Sequence, residues 1–216
     1  MNPIFPSILS TDFFNLQAKL EVFEKSRIDF IHLDIMDGHF VDNISFGPAM
    51  GKAIKGKFPF SLDAHLMVSN PAKMIPHFIA AGADWVSFHA ETGDDCGELV
   101  ALVKDSGRRA GLVLNPDTPL ERAQPFLNNL DYILLMSVFP GFGGQKFIAA
   151  TLERVRRMRQ ELLLRQSPCL LQVDGGITLE NIASLKEAGA DLFVIGTHLF
   201  NADNIEEKIG QLLNRL

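Results

Sequence analysis

The sequence predicts an α/β protein folded as one (β/α)8 TIM barrel, a single catalytic domain spanning residues 1–216. Three observations carry that expectation. Eight short apolar runs, rich in β-branched and aromatic residues, recur at fairly even spacing along the chain. Longer stretches of helical periodicity lie between them, and a strand that returns through a helix pairs in parallel. The first run ends in Ser10-Thr11-Asp12, without the glycine-rich turn that often opens a doubly wound sheet. At 216 residues the chain is compact beside the ~250 typical of such barrels, yet long enough to bury a full core.

Taken in order, the expected strands are Ile4–Leu9, Phe30–Met36, Ser61–Val68, Trp85–His89, Ala110–Leu114, Tyr132–Met136, Leu170–Val173 and Leu192–Ile195. Leu16, Leu20 and Phe23, and later Leu152, Val155, Met158 and Leu162, repeat at the three- and four-residue spacing of a buried helix face. Helix starts are signalled by Thr11-Asp12, Asn70-Pro71, Asp117-Thr118-Pro119 and Thr178-Leu179-Glu180. Helix ends are signalled by Gly82, Gly107 and Gly189, since glycine accepts the left-handed conformation that terminates a helix.

Composition narrows the function. Hydrophobic residues are 47% and charged residues 21%, an ordinary globular balance. The net charge of −6 with no basic run argues against a nucleic-acid partner. No apolar stretch reaches the ~18 residues of a membrane span, and no basic start followed by a long apolar run marks a signal peptide. A cytoplasmic protein with no membrane partner is expected. Cys96 and Cys169 are too few for a disulfide framework and read as free thiols.

The chemistry is concentrated at strand ends. Residues two apart on a strand share a face, so His32, Asp34 and Met36 point together, as do Asp63, His65 and Met67. Two inward histidines near a carboxylate suit a divalent cation such as zinc, iron(II), manganese or cobalt. Asp174 closes the seventh run and meets Gly175-Gly176 on the face where barrels carry their catalysis. The loop Val138-Phe139-Pro140-Gly141-Phe142-Gly143-Gly144-Gln145 follows the sixth run, and Gly196-Thr197 the eighth; barrels often bind phosphate there through backbone N–H groups. Lys146 is the one basic residue in these loops.

In order and spacing, Ser7-Ile8-Leu9-Ser10, HLDIMDGHFVDN from His32, DAHLMV from Asp63, SVFPGFGGQ from Ser137, QVDGGI from Gln172 and Ile195-Gly196-Thr197 resemble the ribulose-phosphate 3-epimerase family over essentially the whole chain. The resemblance implies interconversion of ribulose 5-phosphate and xylulose 5-phosphate by a homo-oligomer. It implies one divalent metal per subunit on His32, Asp34, His65 and Asp174, with Asp34 and Asp174 doubling as the acid–base pair. It further implies that Ser7 contacts substrate near Asp34, and that Met36, Met67 and Met136 line the reacting centre. The phosphate falls to Gly143, Gly144, Gly175, Gly176, Gly196 and Thr197, and His65, Gly141 and Phe142 are further substrate-binding positions.

Three loop residues depart from that pattern. Asp42 stands where proline is usual, Phe139 where a small polar residue is common, and His198 where the residue is usually small. The nearest alternative is allulose-6-phosphate 3-epimerase, which shares fold and metal set but tends to carry alanine at the position of Gly143. A non-catalytic sugar-phosphate binding barrel predicts a lost ligand, and the set here is intact. A Schiff-base aldolase needs a lysine at a strand end, and none of the eight runs contains one.

Overall fold

Each of the eight apolar runs forms a strand in the computed structural model, which describes all residues 1–216. They are β1 (Ile4–Pro6), β2 (Phe30–Met36), β3 (Ser61–Met67), β4 (Trp85–His89), β5 (Arg109–Leu114), β6 (Tyr132–Met136), β7 (Leu170–Asp174) and β8 (Leu192–Ile195). All pair in parallel in the order β1-β8-β7-β6-β5-β4-β3-β2. A single parallel bridge between Ser7 and His32 joins the two ends and closes the barrel.

Helices α1 (Leu16–Lys25), α2 (Pro48–Lys55), α3 (Pro71–Ala80), α4 (Cys96–Asp105), α5 (Thr151–Leu164), α6 (Ile182–Glu187), α7 (Thr197–Phe200) and α8 (Ile205–Leu213) form the outer layer. Asn70 caps α3 by accepting from Lys73 N–H, as its Asn-Pro start predicts. Gly82, Gly107 and Gly189 hold positive φ just past their helices.

Three expectations are corrected. The first strand stops at Pro6 rather than Leu9, because Ser7 turns its hydroxyl back to Leu9 N–H and Ile8–Ser10 coil into a 3-10 turn. Asp117-Thr118-Pro119 opens only a 3-10 turn, Leu120–Arg122, so the β5–β6 connection has no α-helix. The helix announced at Thr178 starts at Ile182, since the Asn181 side chain accepts from Thr178 N–H and holds 178–181 as a turn.

Strand parity sorts the core. Ile31, Leu33 and Ile35 face the helices in a cluster of 52 buried residues that runs around the barrel. Inside, Phe5, Phe30, Trp85, Tyr132, Leu192 and Val194 plug the amino-terminal end, with the Phe5 and Phe30 rings 4.4 Å apart. Burying each such side chain stabilises the fold by roughly 1.5–3 kcal/mol. Gly111 is glycine because Tyr132 crosses it: a Cβ there would lie 2.3 Å from the ring. The apolar plug seals one end and leaves the polar strand ends opening at the other.

Candidate active site and metal centre

Four side chains meet above the plug. Register places His32 beside Asp63, Asp34 beside His65, and Met136 beside Asp174. One donor atom from each of His32, Asp34, His65 and Asp174 falls within 4.8 Å of the others. His32 Nε2 and His65 Nδ1 lie 3.3 and 3.2 Å from Asp34 Oδ1, and 4.0 and 3.7 Å from Asp174 Oδ2. Donors sharing one cation at ~2.0–2.2 Å stand about 3–3.5 Å apart, so small adjustments bring all four onto a common centre. The donor chemistry of two imidazoles and two carboxylates suits the same metals.

One atom marks this cluster as able to hold a cation. His32 Nδ1 is 2.8 Å from Asp63 Oδ2, and the fully buried Asp63 also accepts from Tyr132 OH (2.8 Å) and Gln172 Nε2 (2.9 Å). Asp63 accepts three donors and donates none, so His32 carries a proton on Nδ1. Its Nε2 is buried and makes no hydrogen bond, although two carboxylates face it. An imidazole held by a carboxylate on one nitrogen, with the other turned to a donor cluster, is the usual outer-shell arrangement of a metal-ligating histidine.

Charge is divided unevenly across the site. Burial pushes the Asp34 carboxyl upward, but His32 and His65 outweigh it and hold Asp34 well below the usual carboxylate range. Ser7 adds a hydroxyl donor to Asp34 Oδ2. The Asp174 side chain lies farther from both histidines: burial and then the negative Asp34 outweigh the lowering pull of His32 and push it up to about 8. Burial lowers His65 to about 4 despite Asp34. Burial also acts to lower His32, yet Asp34 and Asp63 raise it well above its ordinary value. Burial and neighbouring charge thus push two adjacent carboxyls in opposite directions.

A cavity of about 640 Å³ opens over this cluster and is lined by every residue anticipated for substrate except His65, which is buried beneath it. Met36, Met67 and Met136 form its apolar floor with Asp34 and Asp174. On the far side, the N–H groups of Gly144, Gly176, Gly196 and Thr197 donate to no other group of the chain. Only glycine fits at two of the turns: a Cβ on Gly175 (φ +116°) would meet Val138 at 2.5 Å, and one on Gly176 (φ +60°) would meet Phe147 N at 2.6 Å. Asn43 Nδ2 donates to Gly141 O over 2.7 Å, tying the loop after β2 to the loop after β6.

The departures from the family pattern sit around this mouth. Phe139 is half exposed at the rim, and His198 Nε2 accepts from Leu179 N–H at 3.3 Å, joining the loops after β7 and β8. Asp42 is exposed, and nothing in the structure explains it. Lys208, from α8, lines the cavity beside Lys146; sequence reasoning missed it because α8 is remote along the chain and carries no loop motif. His89, at the end of β4, is fully buried against His65.

Fold and site together define a (β/α)8 enzyme with its chemistry at the carboxyl ends of the strands. A family profile described as "Ribulose-phosphate 3 epimerase family" matches residues 3–200. Ribulose-phosphate 3-epimerase of Aquifex aeolicus is 42% identical over 213 residues, covering 98% of this chain and 96% of the relative. The Bacillus subtilis enzyme of that name is 39% identical, covering 98% of each chain. The Escherichia coli K12 enzyme is 39% identical over 99% of this chain and 95% of its own. The chain therefore belongs to the ribulose-phosphate 3-epimerase family and is an isomerase acting on carbohydrates. Among solved structures, 3-hexulose-6-phosphate synthase from Salmonella typhimurium superposes with a TM-score of 0.74 at 16% identity, covering 99% of this chain and 98% of the other. At that identity the likeness is one of fold.

Proposed function

We propose that this chain interconverts ribulose 5-phosphate and xylulose 5-phosphate by moving the C3 proton between two opposed carboxyl groups, Asp34 and Asp174. The observation that carries the reading is their convergence in one buried site, a donor atom of each within 4.8 Å of the other, under a cavity sized for a small sugar phosphate. Inversion at C3 requires that a proton leave one face and a proton arrive on the other. One carboxylate takes it, leaving an enediolate, and the protonated partner returns one from the opposite side. Family membership with nearly full-length relatives supports the substrate.

His32, Asp34, His65 and Asp174 would hold one divalent ion per subunit, either Zn, Fe(II), Mn or Co; such an ion, when bound, supplies positive charge that stabilises the developing oxyanion. Ser7 keeps Asp34 oriented through its hydroxyl. Met36, Met67 and Met136 exclude water from the reacting carbon without offering a competing proton. Unpaired N–H groups of Gly143, Gly144, Gly176, Gly196 and Thr197 receive the phosphate, with Gly175 fixing the turn and Gly141 and Phe142 shaping the rim. Lys146 and Lys208 add local positive charge to an otherwise acidic protein.

No helix is long and apolar enough to cross a membrane, and with bacterial metabolic relatives a cytoplasmic location follows as part of this reading. A homo-oligomer is also proposed. Phe14, Ile44, Phe139 and Phe142 expose more than half of their surface on loops after β1, β2 and β6, an apolar patch that association would cover.

The test is isotopic. Metal-loaded enzyme incubated with ribulose 5-phosphate in heavy water is expected to yield xylulose 5-phosphate carrying deuterium at C3. Absence of both, with turnover of allulose 6-phosphate, transfers the assignment to the allulose enzyme. A Cβ at Gly143 would lie 2.7 Å from Ser10 Oγ, so the alanine common in that relative would shift Ser10 here.

A further inference from the structure

Behind His65 lies a chain of buried polar groups that the proposed mechanism leaves unused. His65 Nε2 is 2.8 Å from His89 Nε2, and His89 Nδ1 is 3.2 Å from Glu91 Oε2. Both rings are fully buried. The other Glu91 oxygen accepts from Asn115 N–H at 2.9 Å and from the Thr118 hydroxyl. Arg122 anchors the same turn through Ala90 O at 2.7 Å, and Arg154 holds Asn115 O at 3.0 Å. Phe40 packs its ring 4.7 Å from that of His89.

Two imidazoles thus stand in line between two carboxylates, Asp34 at one end and Glu91 at the other. A hydrogen bond between two ring nitrogens needs one N–H and one lone pair. With one proton on each ring, the line has only two arrangements. If the protons point toward Glu91, His89 donates from Nδ1, His65 donates from Nε2, and His65 Nδ1 presents its lone pair to the metal ligand cluster. If they point toward Asp34, Nδ1 of His65 carries a hydrogen and cannot ligate a cation.

We infer that Glu91, acting through His89, is a positioning residue that selects the His65 tautomer able to bind the metal. The inference rests on the metal centre proposed above. Glu91 suits the task because its second oxygen is fixed by the backbone N–H of Asn115, which always donates. Glu91→Gln reverses the line for that reason: its carbonyl must meet Asn115 N–H, so its NH2 faces His89 Nδ1 and forces both ring protons toward Asp34.

The test compares wild type, Glu91→Gln and Thr118→Val, the last of which retains the Glu91 carboxylate as acceptor. Zn(II) affinity is measured by competition with a chromophoric chelator, and ring protonation by ¹⁵N NMR on histidine-labelled, Zn(II)-loaded protein. Glu91→Gln is expected to weaken Zn(II) binding about 10–100-fold, while Thr118→Val stays within about threefold. In the loaded wild type His89 is expected to carry its proton on Nδ1. Zn(II) affinity unchanged in a folded Glu91→Gln, or a His89 proton found on Nε2, overturns the inference. If Glu91→Gln does not fold, His89→Phe, which retains the ring packing against Phe40, is held to the same affinity criterion. Should His32→Ala bind Zn(II) as tightly as wild type, the metal centre itself is wrong and both readings fall. A loss with His32→Ala but not with Glu91→Gln removes the relay alone.

Discussion

Asp63 holds His32 by Nδ1 at 2.8 Å, and that one bond turns the opposite nitrogen toward Asp34 and Asp174. Asp63 is inward on β3 by the same parity that places His65, yet it lies one layer deeper, where Tyr132 and Gln172 close around it. It is the support on which the His32, Asp34, His65 and Asp174 cluster rests.

Asp63→Ala leaves three buried donors without an acceptor. Such losses cost about 1–3 kcal/mol each before relaxation, so a net destabilisation of about 3 kcal/mol in urea unfolding is expected, with a 10–100-fold fall in metal affinity. Unchanged metal affinity in the folded fraction would show that His32 does not need this support.

A second prediction concerns pH. The Asp37 carboxylate sits in the loop after β2, where burial acts to raise it, but the N–H groups of Ser69 (2.7 Å), Phe40 (2.9 Å) and His39 (2.9 Å) and the Ser69 hydroxyl (2.8 Å) together outweigh that. Its folded pKa is depressed, so its contribution is full above the unfolded value of about 3.9 and is lost as pH falls below it. Asp37→Asn is expected to cost about 1 kcal/mol at pH 7, allowing for its partial exposure. The gap to wild type should narrow below pH 4; a gap independent of pH between 7 and 3 would contradict it.

Gly176→Ala tests the phosphate turn. Its Cβ would press on Phe147 N at 2.6 Å with φ at +60°, displacing the N–H that faces the cavity. A rise in KM for ribulose 5-phosphate of about tenfold, worth 1.4 kcal/mol, is expected, with a smaller change in kcat. A change in kcat alone would place the phosphate elsewhere.

The two thiols are expected to be inert. Cys169 is buried, and burial pushes it up to about 12; burial likewise raises Cys96. Neither should react with a thiol reagent at pH 8 until the protein is unfolded, when both should. Rapid reaction of either in native protein would show that its shelter opens readily.

Much of this was legible in the residues. Alternation on β2 and β3 already placed His32, Asp34 and His65 on one face, and the eight runs announced a barrel whose open end carries the chemistry. Asp174 was legible only through topology and the family resemblance, since Asp-Gly alone reads as a turn. What stayed hidden depends on packing between elements. Thr118 looked like the start of a helix, but its hydroxyl goes to Glu91 rather than to a helix end. No local pattern shows that the His89 ring stands edge to edge with that of His65. Ser7 ends β1 early, its hydroxyl accepting from Leu9 N–H and donating to Asp34 on the adjoining strand.

The central claim is that two carboxyl groups share one proton-transfer task, and Asp174→Asn tests it most directly. The variant retains shape, so circular dichroism and thermal melting should match wild type, with metal content measured and restored alongside. Epimerisation of ribulose 5-phosphate is expected to fall by at least about 10³-fold, within the range general acid–base groups contribute. Near-normal turnover in a folded, metal-loaded Asp174→Asn would contradict the account.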